Sequence, residues 1–131
     1  MTKVYLCGPI NGCTDAECND WRELVKTMLT GETINPMRRD YRGREMEDGI
    51  DREIVRGDME DCLDADVLLA FHPKPSSGTD MEIFYVSFVL KKPVVTIIPE
   101  GAPLSPWVKR FSTVIFKSER EACDWINGCA A

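Results

Sequence analysis

Two acidic residues stand where a carboxylate is costly. Glu82 is the one charge inside the run Met81 to Leu90, where Ile83, Phe84, Tyr85, Val86, Phe88 and Val89 make a helix apolar nearly all round. A carboxylate in the first turn of a helix is favoured in its ionised form, the state a nucleophile needs. Asp58 falls on the same side of its helix as Ile50, Ile54 and Cys62, at i, i+4 spacing. Burial there raises an acid's pKa and lets it hold and pass a proton. Each residue also has a plainer reading. Thr79-x-x-Glu82 fits a capping box, a pattern that recurs at Thr14 to Glu17 and Ser118 to Glu121. A buried Asp58 could simply pair with an arginine or cap a loop.

Other residues offer weaker chemistry. Gly8 and Gly12 in CGPING could let backbone approach a ligand or could only turn the chain, and they do not make a G-x-G-x-x-G dinucleotide motif. His72, the single histidine, has no accompanying serine or cysteine motif, so a structural or ligand-edge role fits it best. Ser76, Ser77 and the N–H groups opening the helix after them provide either an anion seat or an ordinary polar turn.

The elements that must position these residues alternate. Strand patterns at 3–7, 33–34, 66–71, 93–98 and 113–116 are separated by helical ones, including Trp21 to Leu29, Ile50 to Leu63, Thr79 to Leu90 and a last helix to about Ile126. Residues 36–49, PMRRDYRGREMEDG, are too charged for a core and read as a loop or lid, and GAPLSPW reads as a Pro-rich loop. This succession predicts an α/β, flavodoxin-like (Rossmann-like) three-layer sandwich with five parallel strands in the order 2-1-3-4-5. Ligands of such sheets bind where strands 1 and 3 diverge, which puts the Cys7 to Gly12 loop and the His72 to Asp80 loop at the site.

The chain of 131 residues fits one domain, 1–131. With 22 acidic against 16 basic residues it carries a net charge of −6, which argues against a nucleic-acid polymer as partner and for a small ligand. No apolar run approaches the roughly 18 residues of a membrane span, and no signal peptide is visible, so a cytoplasmic protein is expected. The six cysteines form no C-x-x-C pair, and no metal is expected.

In their order and spacing, VYLCGPING, NPMRRDYRG, GDMEDCLDADVLLAF, SSGTDMEIFYV and KKPVV resemble the nucleoside 2-deoxyribosyltransferases and the related N-glycosidases of nucleoside 5′-monophosphates. The resemblance covers about residues 3 to 126. It implies that Glu82 is a nucleophile forming a glycosyl-enzyme intermediate, that Asp58 assists proton transfer to the departing base, and that Tyr5 orients the glutamate or the sugar. It implies substrate contacts by Gly8, Pro9, Ile10, Asn11, Gly12, Asp40, Ser76, Gly78 and Ser105, and no cofactor. Ser105 would come from a neighbouring subunit, making the protein a homodimer or higher homo-oligomer with shared active sites.

Ser76 stands six residues before Glu82, where the free-nucleoside transferases carry an aspartate. A serine accepts a phosphate that an aspartate would repel, so cleavage of a 5′-monophosphate is expected. Asn11 departs from the arginine that some monophosphate hydrolases have, leaving Arg38, Arg39 or Arg42 as possible substitutes. Asp40, where transferases read the base, would favour cytosine or adenine through an exocyclic amine. The alternatives are a transferase acting on free nucleosides and a non-catalytic nucleotide-binding module. A NAD glycohydrolase has no dinucleotide signature to support it.

Overall fold

The computed structural model describes residues 2–130, so the first and last residues of the expected domain lie outside the described residues. Strands β1 (Lys3–Cys7), β2 (Glu32–Ile34), β3 (Val67–Phe71), β4 (Val94–Ile97) and β5 (Val114–Phe116) form one parallel sheet in the order β2-β1-β3-β4-β5. Helices α1 (Asp15–Met28), α2 (Ile50–Asp64), α3 (Ser77–Phe84), α4 (Pro106–Phe111) and α5 (Glu119–Ala130) cover its faces. This is the flavodoxin-like order expected from the alternation of patterns.

Side-chain alternation along the strands divides the core in two. Val4, Leu6, Leu69, Val95 and Ile97 pack on Trp21 and Val25 of α1 and on Ala122, Cys123 and Ile126 of α5. Tyr5, Cys7, Leu68, Ala70 and Val94 point the other way, onto Cys62 of α2, Ile83 and Val86 of the α3 segment and Val108 of α4. Tyr5 and Cys7 therefore share a side of the sheet with the helices that carry Asp58 and Glu82. Gly8 ends β1 tightly, because an added Cβ would stand 2.8 Å from the Trp21 ring. Packing by itself calls for glycine there, and the same residue lines the cavity described below.

Three details differ from expectation. A fourth helix, α4, lies inside the Pro-rich stretch, opened by Ser105, whose Oγ accepts the Val108 N–H at 3.1 Å, with Pro106 in the first turn. Helix α3 starts at Ser77 rather than Thr79 and continues as a π-helical turn, Tyr85–Val89. Its apolar surface is not buried all round, since Met81, Phe88 and Val89 are exposed, as are Val55, Met59 and Leu63 of the α2 stripe. The capping boxes differ in outcome. Thr14 and Glu17 form one reciprocally, and Ser118 accepts the Glu121 N–H at 3.2 Å. Thr79 and Glu82 do not, because Ser76 takes the N-cap position and its Oγ lies 2.9 Å from Thr79 Oγ1.

Candidate active site

At the carboxyl ends of β1 and β3 lies a cavity of about 330 Å³. The first loop supplies Gly8, Pro9, Ile10 and Asn11 to its wall, and the charged segment after β2 supplies Pro36, Arg39, Tyr41 and Arg42. Ile54 and Asp58 of α2, the stretch Lys74 to Thr79 and Glu82 complete the lining.

Glu82 belongs to the second turn of α3, so the helix N-terminus does not dominate its ionisation. Burial does. It pushes the Glu82 carboxyl up to about 8, helped by the charge of Asp58 and opposed by hydrogen bonds from Tyr5 and Cys7 and by the Arg22 guanidinium. The expectation of a carboxylate kept ionised by the helix dipole is therefore corrected: burial, not the dipole, dominates, and it favours the protonated form. Its Oε2 atom is buried without a hydrogen-bond partner among the described residues. Such an orphan acceptor is uncommon and marks a place where a ligand or water completes the set. Tyr5, almost fully buried, has its hydroxyl pKa raised well above the ordinary value by burial and by Glu82.

Asp58 is only partly buried. Burial raises its pKa above the usual carboxylate value, while the nearby Arg39 guanidinium, 3.4 Å away, pulls in the other direction. The expected arginine partner is thus present, and burial shifts the acid in the expected direction.

Several neighbours of the cavity escaped the sequence patterns. Arg22 is fully buried below the first loop and donates to the carbonyls of Leu6, Cys18 and Gly8 at 3.2, 2.6 and 3.1 Å. It fixes the loop and brings positive charge beneath Glu82. Its signal was available, because it interrupts the apolar stripe Cys18, Trp21, Val25 as Asp58 interrupts its own. Asp61, one turn beyond Asp58, accepts 2.6 and 3.0 Å bonds from Arg38 and a 2.7 Å bond from Arg39. Burial alone would raise its pKa; these guanidinium bonds outweigh it and hold Asp61 below the ordinary value. Lys74 lines the cavity beside Ser76 and lies 3.6 Å from Glu17.

Of the residues singled out in the sequence, the fold gathers Gly8, Pro9, Ile10, Asn11, Asp58, Ser76, Gly78 and Glu82 on the cavity, with Tyr5 facing Glu82 from β1. Asp40 is not brought there. Arg42 binds both of its oxygens, at 2.8 Å to Oδ2 and 3.0 Å to Oδ1, and also reaches Asp15, and the carboxylate is not among the lining residues. Gly12 lies beyond the lining in a left-handed turn, with φ of 72°. Ser105 borders a separate apolar hollow with Met81, Phe84 and Trp107. His72 is buried, with Nε2 2.6 Å from Asp80 Oδ1, and is not part of the cavity wall. Among the described residues no cluster of three or more His, Cys, Asp or Glu side chains is arranged for a metal ion. No helix among them is long and apolar enough to cross a membrane.

The fold is shared with solved structures of other proteins. A 2-deoxyribosyltransferase from Bacillus psychrosaccharolyticus superposes with a TM-score of 0.72 at 19% identity, over 94% of this chain and 91% of that one. The Clostridium botulinum CMP N-glycosidase BcmB gives 0.61 at 18%, over 96% and 99%. A conserved protein from Enterococcus faecalis V583 gives 0.79 at 18%, over 98% and 99%. No family model and no curated protein sequence matches the chain. At these identities the likeness is one of fold.

Proposed function

We propose that the protein is an enzyme that cleaves the N-glycosidic bond of a nucleoside 5′-monophosphate through a covalent intermediate on Glu82. The observation that carries this reading is a buried glutamate with an unpartnered oxygen, coupled to a second acid, Asp58, across one cavity at the switch point. Its fold is shared with a 2-deoxyribosyltransferase and a CMP N-glycosidase, which supports the same class of chemistry.

In the reaction, ionised Glu82 attacks the anomeric carbon of the bound sugar. The carbon–nitrogen bond breaks, its electron pair leaves with the base, and Asp58 delivers a proton to that base. Water, deprotonated by Asp58, then attacks the anomeric carbon, releasing Glu82 and a sugar phosphate. This is the two-step logic of a retaining glycosidase, with a carboxylate nucleophile and an acid that turns base. Tyr5 orients Glu82 from β1. An acceptor base in place of water converts the second step into transfer.

The phosphate end of the cavity is the Lys74 to Thr79 stretch. No side chain caps α3, so its first N–H groups are open, and Ser76, Gly78 and Lys74 lie beside them. Backbone N–H groups, a hydroxyl and an ammonium are suitable partners for a phosphate dianion. Ser105 is assigned to the phosphate of a second subunit. The apolar face beside it, with Trp107 at 69% and Met81 at 73% exposure and the Phe84, Phe88 and Phe111 rings packed together, supports a homo-oligomer with shared sites. Asp40, held by Arg42, is not retained as the base reader.

Chromatography of the products from each nucleoside and each 5′-monophosphate, with and without an acceptor base, tests the reading. Release of free base from at least one monophosphate by the wild type, and not by Glu82→Ala, is the expected outcome. Equal release by both proteins, or none from any substrate, rejects it, and the latter leaves a non-catalytic binding module.

A further inference from the structure

Gly57 sits in the interior of α2, where helix formation disfavours glycine. Its role lies in what rests on it. A Cβ at this position would stand 2.8, 3.0 and 3.1 Å from Nε, Cζ and Nη2 of Arg39. The guanidinium of Arg39 is thus laid against bare helix backbone. Asp61, itself buried and fixed by Arg38, accepts from Arg39 Nη2 at 2.7 Å, and Asp58 lies 3.4 Å from the same nitrogen. Three residues within about one turn of α2 are committed to a single side chain of the charged segment. That side chain lines the cavity, and its Nη1 makes no hydrogen bond to another described residue.

We propose that Arg39 is the base-contacting residue of this site, donating to a ring nitrogen or carbonyl oxygen of the substrate's heterocycle, and that Gly57 and Asp61 hold it in position. The inference rests on the glycosidase reading above and adds the residue that recognises the leaving group. Charge favours a neutral base over the phosphate as its partner. Asp58 and Asp61 already offset the guanidinium, and a dianion brought there would face both carboxylates. Lys74 has one carboxylate near it, Glu17 at 3.6 Å, and Ser76 and the first turn of α3 line the same cavity. The Asp58 neighbourhood is also where the reaction needs the base, since the departing heterocycle takes its proton there. As the glycosidic bond breaks, electron density moves into the base, and a fixed donor on its acceptor atoms gains strength in the transition state.

Calorimetric titration of the wild type, Arg39→Ala and Gly57→Ala with cytosine, adenine, guanine and uracil, and separately with ribose 5-phosphate, tests this. Alanine is a better helix former than glycine, so Gly57→Ala keeps the fold while displacing the flexible end of Arg39. Both variants should lose about tenfold or more in affinity for the base that the wild type prefers, the scale of one hydrogen bond to a charged group. Ribose 5-phosphate affinity should stay within about twofold, a change of under half a kcal/mol. Unchanged base affinity in both variants, loss of ribose 5-phosphate binding instead, or a wild type that binds no base each overturns the proposal. If the wild type binds bases but cleaves no nucleotide, the glycosidase reading falls and the base-binding comparison still decides the role of Arg39.

Discussion

Glu82 and Asp61 are both acids on helices that wall one cavity, and their surroundings drive them in opposite directions. Asp61 meets two guanidinium groups and stays charged; Glu82 meets a phenol, a thiol and another acid, and burial pushes its pKa to about 8. The difference separates a carboxylate that holds structure from one left with unspent bonding capacity. Both oxygens of Asp61 accept guanidinium bonds, whereas Glu82 keeps a buried oxygen without a partner among the described residues. Asp58 lies between them in character, raised by burial yet tempered by Arg39.

Substitutions at the two ends should break this contrast unequally. The largest effect is expected for Glu82→Ala on turnover, a loss of roughly a thousandfold or more when a covalent nucleophile is removed. Base-release kinetics check it, and retention of wild-type rate would remove Glu82 from the chemistry.

The next effect is on stability and depends on pH. Glu82 has a folded pKa of about 8 against an ordinary value of 4.5, so its contribution is fully present below about pH 4.5 and is lost as pH rises through 8. Glu82→Gln removes that loss and should be more stable than wild type at pH 9 by on the order of 5 kcal/mol. Thermal melts at pH 5 and pH 9 should show the advantage only at the higher value. The same titration predicts that kcat/KM of the wild type climbs toward pH 8, because only ionised Glu82 attacks.

Asp61→Asn should act in the reverse sense. It leaves Arg38 and Arg39 without their shared carboxylate and should cost about 2 kcal/mol near neutral pH, less than a fully buried pair because Arg38 is half exposed. Urea denaturation measures this, and a loss below about 0.5 kcal/mol would place the cluster with ordinary surface ion pairs. The smallest effect belongs to the caps. Thr14→Ala should cost about 1 kcal/mol, and Thr79→Ala should show no capping loss in proportion, since only Thr14 caps its helix.

Strand order and the locations of Glu82 and Asp58 were legible because both are local periodic signals: apolar strands alternating with helices, and a charge interrupting an apolar stripe. What escaped was three-dimensional or competitive. Helix α4 was hidden behind two prolines, although Ser105-Pro106 is itself a helix-start signal. The Thr79-x-x-Glu82 pattern matched a capping box, but Ser76 claimed the N-cap three residues before the expected cap Thr79. Asp40 carried the right functional group for a base, and its neighbour Arg42 captured it. The Arg39 cradle joins a loop to a helix about twenty residues further on, and no periodicity links Arg39 to Gly57 or Asp61. Exposed Val55, Met59 and Leu63 look like core in the sequence because a helical stripe does not reveal whether the chain itself covers it.

The central claim is tested most directly by acid-quenching the protein during turnover of a nucleoside 5′-monophosphate and mapping adducts by peptide mass spectrometry. The account predicts a single sugar-phosphate adduct on Glu82, absent from Glu82→Gln. Turnover with no adduct, together with an active Glu82→Gln enzyme, would contradict it.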